Sequence, residues 1–120
     1  AKAANQLAIC VTLQGMAEAF CLAGAHGVDP QVLLDSLRAG TTASRMLEVM
    51  GPKMASGDTR AGVESRLHWK DLRIVLEAAR RSGIALPGAA IATQTFSALQ
   101  KAGGERLDSS AILGIVRRDR

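Results

Sequence analysis

The chain has 120 residues, enough for one domain with its own hydrophobic core. Hydrophobic residues make up 48% of it, yet aromatic residues only 2%, so the apolar mass is aliphatic and rich in the helix formers alanine and leucine. The net charge of +4 makes nucleic-acid binding a function to consider. Acidic and basic residues are interspersed, however, and few aromatic rings could stack on bases, which argues against a nucleic-acid-binding protein.

The first predicted helix covers about residues 3–26 and ends at Gly27, a good terminating residue. Its stretch 7–25 is apolar enough to raise the question of a membrane span. Gln14 and Glu18 interrupt this stretch and no basic flank follows it, so we interpret it as a buried helix of a soluble protein. The chain begins within this helical pattern, and with Ala rather than Met, which suggests a fragment of a longer protein.

Capping and breaking residues predict five further helices. Asp29, Thr42 and Asp108 are suited to accept hydrogen bonds from free helix N–H groups, so we expect each to cap a helix start. Gly51-Pro52 is expected to bend or break the third helix. The predicted helices span residues 30–38, 43–54, 63–82, 87–101 and 109–117.

These elements predict an all-α fold of about six helices in a single domain over residues 1–120. No segment alternates polar and apolar residues as a half-buried strand would, so no sheet is expected. In the fourth helix, Leu72, Val75, Leu76 and Ala79 have the spacing of one buried face.

The sequence has no complete active site of its own. Its glycines nowhere form the strand-to-helix turn that binds dinucleotide phosphates. His26 and His68 lack the spacing of metal ligands, and we interpret both as surface or packed histidines. Cys10 and Cys21 are separated by about 16 Å along a helix, beyond disulfide reach, which indicates free thiols and a reducing cytoplasm.

Three polar clusters remain as candidates for a site. Lys2, Asn5 and Gln6 are spaced i, i+3 and i+4, so a helix places them on one face. A lysine partly removed from water could donate a proton, because burial disfavours its charged form, although ordinary polar residues at a helix start give the same pattern. Lys70-Asp71 is equally compatible with a solvated face, and the segment 107–111 is expected to be an N-cap and first turn.

Short motifs occur in a fixed order along the whole chain. They are Lys2-Ala3-Ala4-Asn5-Gln6, Glu18-Ala19, Gly27-Val28-Asp29-Pro30, Gly40-Thr41-Thr42-Ala43-Ser44-Arg45, Lys70-Asp71-Leu72, Leu86-Pro87, Gly103-Gly104 and Leu107-Asp108-Ser109-Ser110-Ala111. In this order they resemble one family, the β-hydroxyacid dehydrogenases of the 3-hydroxyisobutyrate dehydrogenase and tartronate semialdehyde reductase type. The resemblance implies that the chain is the family's C-terminal domain, a helical domain like that of 6-phosphogluconate dehydrogenase with one long N-terminal helix.

The resemblance also implies roles for four residues. Lys2 corresponds to the general acid/base, Asn5 and Gln6 to substrate-binding amides, and Lys70 to the lysine that reaches the cleft near the nicotinamide. Asp71 is expected to orient its helix rather than to act chemically.

The same resemblance implies an NAD(P)-dependent oxidoreductase acting on a short 3-hydroxy acid and its semialdehyde or oxo acid. NAD or NADP would be bound mainly by a dinucleotide-binding domain that this chain lacks, and no metal is expected. The other expected partners are that N-terminal domain and a second copy of the chain in a homodimer or homotetramer, with neither nucleic acid nor membrane. The isolated 120-residue chain is expected to be inactive.

One departure bears on the substrate, and three other functions remain open. Thr59, Ala61 and Val63 stand where the family often has a Phe-x-Pro-x-Phe pattern bordering the cleft, so the size of the substrate is not predicted.

The chain could instead be a helical dimerisation module, which convergence of Lys2 and Lys70 on one cleft would argue against. An imine-reductase-like relative is disfavoured by Lys2, and a nucleic-acid-binding module would need a continuous positive face.

Overall fold

The computed structural model describes residues 1–118. Those residues form six α-helices and one 3-10 turn, with no strand among them, so the all-α prediction is confirmed. An isolated bridge between Glu64 and Asp108 is the only extended pairing in this range. The elements are α1 (Lys2–Ala25), α2 (Pro30–Ala39), α3 (Arg45–Ser56), α4 (Ser65–Ser82), α5 (Pro87–Lys101), the 3-10 turn (Ser109–Ala111) and α6 (Ile112–Arg117).

Helix α1 is the central element and packs against all five other helices. One of its sides is buried and includes Leu13, Ala17 and Phe20. By length and composition alone α1 could cross a membrane, a test that core helices of soluble proteins also pass. The opposite side remains open to solvent, with the Leu22 side chain 64% exposed. The helix therefore has one face in the core and a second, largely apolar face that stays exposed among the described residues.

The start of α3 differs from the prediction. Ser44, not Thr42, caps this helix, because its Oγ accepts the Leu47 N–H at 3.0 Å. The Thr42 hydroxyl instead donates to the carbonyl of Leu37 at 3.3 Å and closes the end of α2. Thr and Ser have the same capping chemistry, so the choice between them depended on where the chain leaves α2.

Of the predicted bend or break at Gly51-Pro52, the structure excludes the break, because α3 continues through Pro52 to Ser56. Proline removes one backbone hydrogen bond and crowds the preceding turn. Leu47 and Met54 are buried on either side of it, and their packing in the core offsets that cost. At Gly51 a Cβ would come 2.5 Å from the Leu34 side chain, so glycine allows α2 and α3 to approach closely.

Asp108 caps the last turn as predicted and also holds a distant loop. Its side chain, fully buried, accepts N–H groups from Ser110, Gly62 and Val63 at 2.9, 2.8 and 3.1 Å. Burial would raise the pKa of Asp108, but these hydrogen bonds outweigh burial and hold it below its usual value. Because Val63 is engaged in this loop, α4 begins at Ser65 rather than at Val63 as predicted.

His68 is a packed histidine, one of the two interpretations that the sequence allowed. It is buried, its Nδ1 lies 2.6 Å from the Ser109 Oγ, and its ring meets Phe96 edge-on. Burial lowers the pKa of His68, while the charges of Asp71 and Asp108 oppose this shift in part. The ring therefore bridges α4 and the 3-10 turn in its neutral form.

The stability of the chain is expected to fall as the pH drops below about 6.5, the ordinary pKa of histidine. A histidine with a lowered folded-state pKa binds fewer protons than it does in the unfolded chain, so acidification favours unfolding. The check is urea unfolding between about pH 7.5 and about pH 5.5, above the range in which carboxylates titrate. His68→Gln should flatten this dependence and His26→Gln, at an exposed position, should retain it. An unchanged slope in the His68 variant would contradict the assignment.

Candidate active site

The first turns of α1 carry the polar cluster that the sequence predicted. Lys2 and Asn5 are exposed and Gln6 is half-buried. The Asn5 side-chain amide points at Gln6 Oε1 at 3.4 Å, and Gln6 Nε2 donates to Asp71 Oδ2 at 2.9 Å. This hydrogen bond joins the start of α1 to α4 next to Lys70, so the structure brings the segments of the two predicted clusters together.

Lys70 lies in a shallow basic groove on the outer side of α4. The groove has a volume of about 400 Å³. Arg73 stacks over the Trp69 ring at 4.6 Å, and the Trp69 indole donates to Ser97 Oγ at 2.9 Å, which ties this part of α4 to α5. The groove is lined by Lys70, Arg73, Ile74, Glu77, Ala78 and Arg81.

The amines of Lys2 and Lys70 are available for binding. Within residues 1–118 neither lysine forms a salt bridge. Both side chains are exposed, so burial within this chain does not remove Lys2 from water as the sequence argument for a proton donor required. A covering domain would have to supply that environment.

The contact between Gln6 and Asp71 is the feature of the site that sequence reasoning missed. Asp71 follows the buried His68 by three residues and precedes the buried Val75 by four, so helical spacing places it at the edge of the packed face of α4. That spacing was a signal that Asp71 faces another element. It could not identify Gln6 as the partner, because the two residues are 65 positions apart.

The cysteines take no part in the site chemistry. Burial raises the pKa of Cys10 to about 12, and the nearby Asp71 charge adds to the effect. The Cys10 thiol therefore stays protonated and unreactive. Cys10 and Cys21 are both free thiols, as predicted. Among residues 1–118 there is no group of three or more His, Cys, Asp and Glu side chains that could hold a metal ion.

The loop that contains Thr59, which was expected to border the cleft, lines a different cavity. The Thr59 carbonyl accepts the Asp108 N–H at 2.9 Å. Thr59 also lines a largely apolar cavity of about 410 Å³ that it shares with Lys53, Leu99 and Arg117. This cavity is separate from the groove lined by Lys70.

Residues 1–116 match the family model described as NAD-binding of NADP-dependent 3-hydroxyisobutyrate dehydrogenase. The chain is 33% identical over 112 residues to a 2-hydroxy-3-oxopropionate reductase of Escherichia coli, covering 93% of this chain and 38% of the relative. It is 36% identical over 114 residues to an L-threonate dehydrogenase of Cupriavidus necator, covering 95% of this chain and 38% of the relative.

A solved structure has the same fold. The 3-hydroxyisobutyrate dehydrogenase from Salmonella typhimurium superposes with a TM-score of 0.91 at 29% identity, over 95% of this chain and 40% of that chain. This chain thus spans about two-fifths of the length of the proteins that it matches.

Proposed function

Because this chain belongs to the 3-hydroxyisobutyrate dehydrogenase family, we propose that it is the substrate-side domain of an NAD(P)-dependent oxidoreductase. The reaction interconverts a short 3-hydroxy acid and its semialdehyde or oxo acid. The observation that carries the proposal is the Gln6–Asp71 hydrogen bond, which joins the Lys2 helix to the Lys70 helix. Two of the relatives are named for different small hydroxy acids, which supports this class of substrate.

Lys2 acts as the general acid/base in this proposal. Its amine would give a proton to the substrate carbonyl oxygen during reduction and take it back during oxidation. Asn5 and Gln6, three and four residues after Lys2 and so about one helical turn from it, would bind the substrate's oxygen atoms through their amides. The position of all three groups at one end of α1, with Lys2 and Asn5 exposed, supports a site that is completed by a second domain.

The nicotinamide cofactor supplies or accepts hydride when it is bound. The described residues fit it from one side only, since residues 1–118 contain no strand-to-helix phosphate-binding turn. The exposed Lys70 would border the nicotinamide, and the cations of its groove would favour the negatively charged cofactor and substrate. The dinucleotide-binding domain would hold the rest of the cofactor and would make the choice between NAD and NADP.

A homodimer or homotetramer follows from the same proposal. The face of α1 opposite the core carries Ala8, Gly15 and the 64% exposed Leu22. At these positions it is therefore apolar, exposed and lined mainly by small side chains. Such a face is suited to close packing against another helix. The free cysteines fit a protein of the cytoplasm.

The isolated 120-residue chain is expected to show no hydroxyacid dehydrogenase activity, because the cofactor-binding half of the reaction is missing. Fusion to the dinucleotide-binding domain of a relative should produce turnover, measured by nicotinamide absorbance against a panel of short 3-hydroxy acids and semialdehydes. A fusion that binds the nicotinamide cofactor and turns over no member of the panel would contradict the proposed function. Turnover by the isolated chain would contradict the division of labour between the domains.

A further inference from the structure

The Asp71 carboxylate is half-buried and has an unusual set of neighbours. Within residues 1–118 it forms no salt bridge, and its side-chain hydrogen-bond partner is the neutral amide of Gln6. Cys10 and His68 lie close enough for their pKa values to respond to its charge, and burial keeps both uncharged. Since no described cation pairs with the Asp71 carboxylate, an ion pair does not account for its position, and the Gln6 amide is the contact to be explained.

The charge of Asp71 determines how the Gln6 amide is oriented. An ionised carboxylate only accepts hydrogen bonds, so the NH2 end of Gln6 must face Asp71 and the oxygen must face away. The Gln6 oxygen accepts a hydrogen bond from the NH2 group of Asn5 at 3.4 Å, so the Asn5 amide is also oriented with its NH2 group toward its neighbour. The three side chains thus form a row of hydrogen bonds in which Asn5 donates to Gln6 and Gln6 donates to the Asp71 carboxylate.

We propose that Asp71 is a positioning residue for substrate recognition, an inference that rests on the proposed function. By fixing the Gln6 amide, and through it Asn5, the carboxylate decides which donor and acceptor atoms the two amides offer to the hydroxy acid. A neutral residue at position 71 would leave the amide of Gln6 free to rotate and would present the substrate with a mixture of both orientations. Asp71 itself does not touch the reacting atoms.

The test is Asp71→Asn in the fusion enzyme described above. Asparagine has nearly the same size as aspartate, but it can either accept a hydrogen bond from Gln6 or donate one to it. The variant therefore no longer holds the Gln6 amide in one orientation, and it introduces no new charge. The KM for the hydroxy acid is expected to rise about tenfold while kcat changes less, because binding geometry is lost and the proton donor is kept. In the ¹⁵N-labelled chain, the Gln6 side-chain amide should become more mobile by heteronuclear NOE.

The chain offers a matched control at the surface. Gln31 Nε2 donates to Asp35 Oδ1 at 3.0 Å within α2, so Asp35→Asn makes the same change to the same kind of hydrogen bond away from the site. This variant should leave KM unchanged. An Asp71→Asn enzyme with the KM of the unmodified enzyme, or with a lower melting temperature as its sole change, would overturn the positioning role. A fusion that binds the nicotinamide cofactor but turns over no member of the panel would contradict the proposed function alone, because the NOE still shows whether Asp71 orders Gln6.

Discussion

Lys2→Ala is expected to lower the turnover of the complete enzyme roughly 100-fold or more, with cofactor binding intact. Lys2 is the first residue of α1, is exposed and forms no salt bridge with the residues that the structure describes, so its amine is available at the end of the helix that carries Asn5 and Gln6. When a second domain covers this end, the amine would be removed from water next to the substrate carbonyl. Steady-state kinetics with a 3-hydroxy acid, followed by nicotinamide absorbance, measures the loss.

Two further variants separate proton transfer from charge. Lys2→Arg keeps the positive charge but cannot release a proton near neutral pH, so it should remain nearly as impaired as the alanine variant. Lys101→Ala removes an exposed lysine at the end of α5 and should leave kcat unchanged. Turnover close to that of the unmodified enzyme in Lys2→Ala would remove Lys2 from the mechanism.

Phe96→Ala is expected to destabilise the isolated domain by about 3–5 kcal/mol. The Phe96 side chain is completely buried and meets the His68 ring edge-on, with 6.1 Å between the ring centroids. Its removal would leave a cavity between α4 and α5 and expose one side of the His68–Ser109 contact. The free energy of unfolding from urea titration of the 120-residue chain provides the measurement.

Ile91→Ala is the control in the same helix. Ile91 is 53% exposed, so its truncation should change the free energy of unfolding by about 0.5 kcal/mol or less. A loss below about 1 kcal/mol for Phe96→Ala would mean that the surrounding side chains collapse into the space, and that the core does not depend on this ring.

Local patterns predicted the helices because their causes are local. Asp29 followed by Pro30 predicted the start of α2, and the structure has Asp29 accepting the N–H groups of Gln31 and Val32. The predicted helix 63–82 ends at the same residue as α4, where Gly83 adopts the left-handed conformation that terminates a helix, at φ 68°. Each of these assignments depends on a few neighbouring residues and their hydrogen bonds.

The structure differs from the prediction where contacts outside the immediate segment decided the outcome. Thr42 and Ser44 are equivalent as caps, and the exit of the chain from α2 selected Ser44. Pro52 disfavours a helix locally, but core packing on both sides of it preserves α3. The start of α4 shifted because Asp108, far along the chain, accepts the N–H groups of Gly62 and Val63.

The candidate site likewise has features set by neighbouring residues and features set by tertiary packing. The sequence by itself determined the all-α class, the shared face of Lys2, Asn5 and Gln6, and the resemblance that assigns roles to them, because helical spacing and short motifs are properties of neighbouring residues. Only the tertiary structure decided that Gln6 meets Asp71, across 65 positions. Such a pairing depends on how α1 and α4 pack, and the packing is set by the summed burial of many side chains rather than by any local pattern.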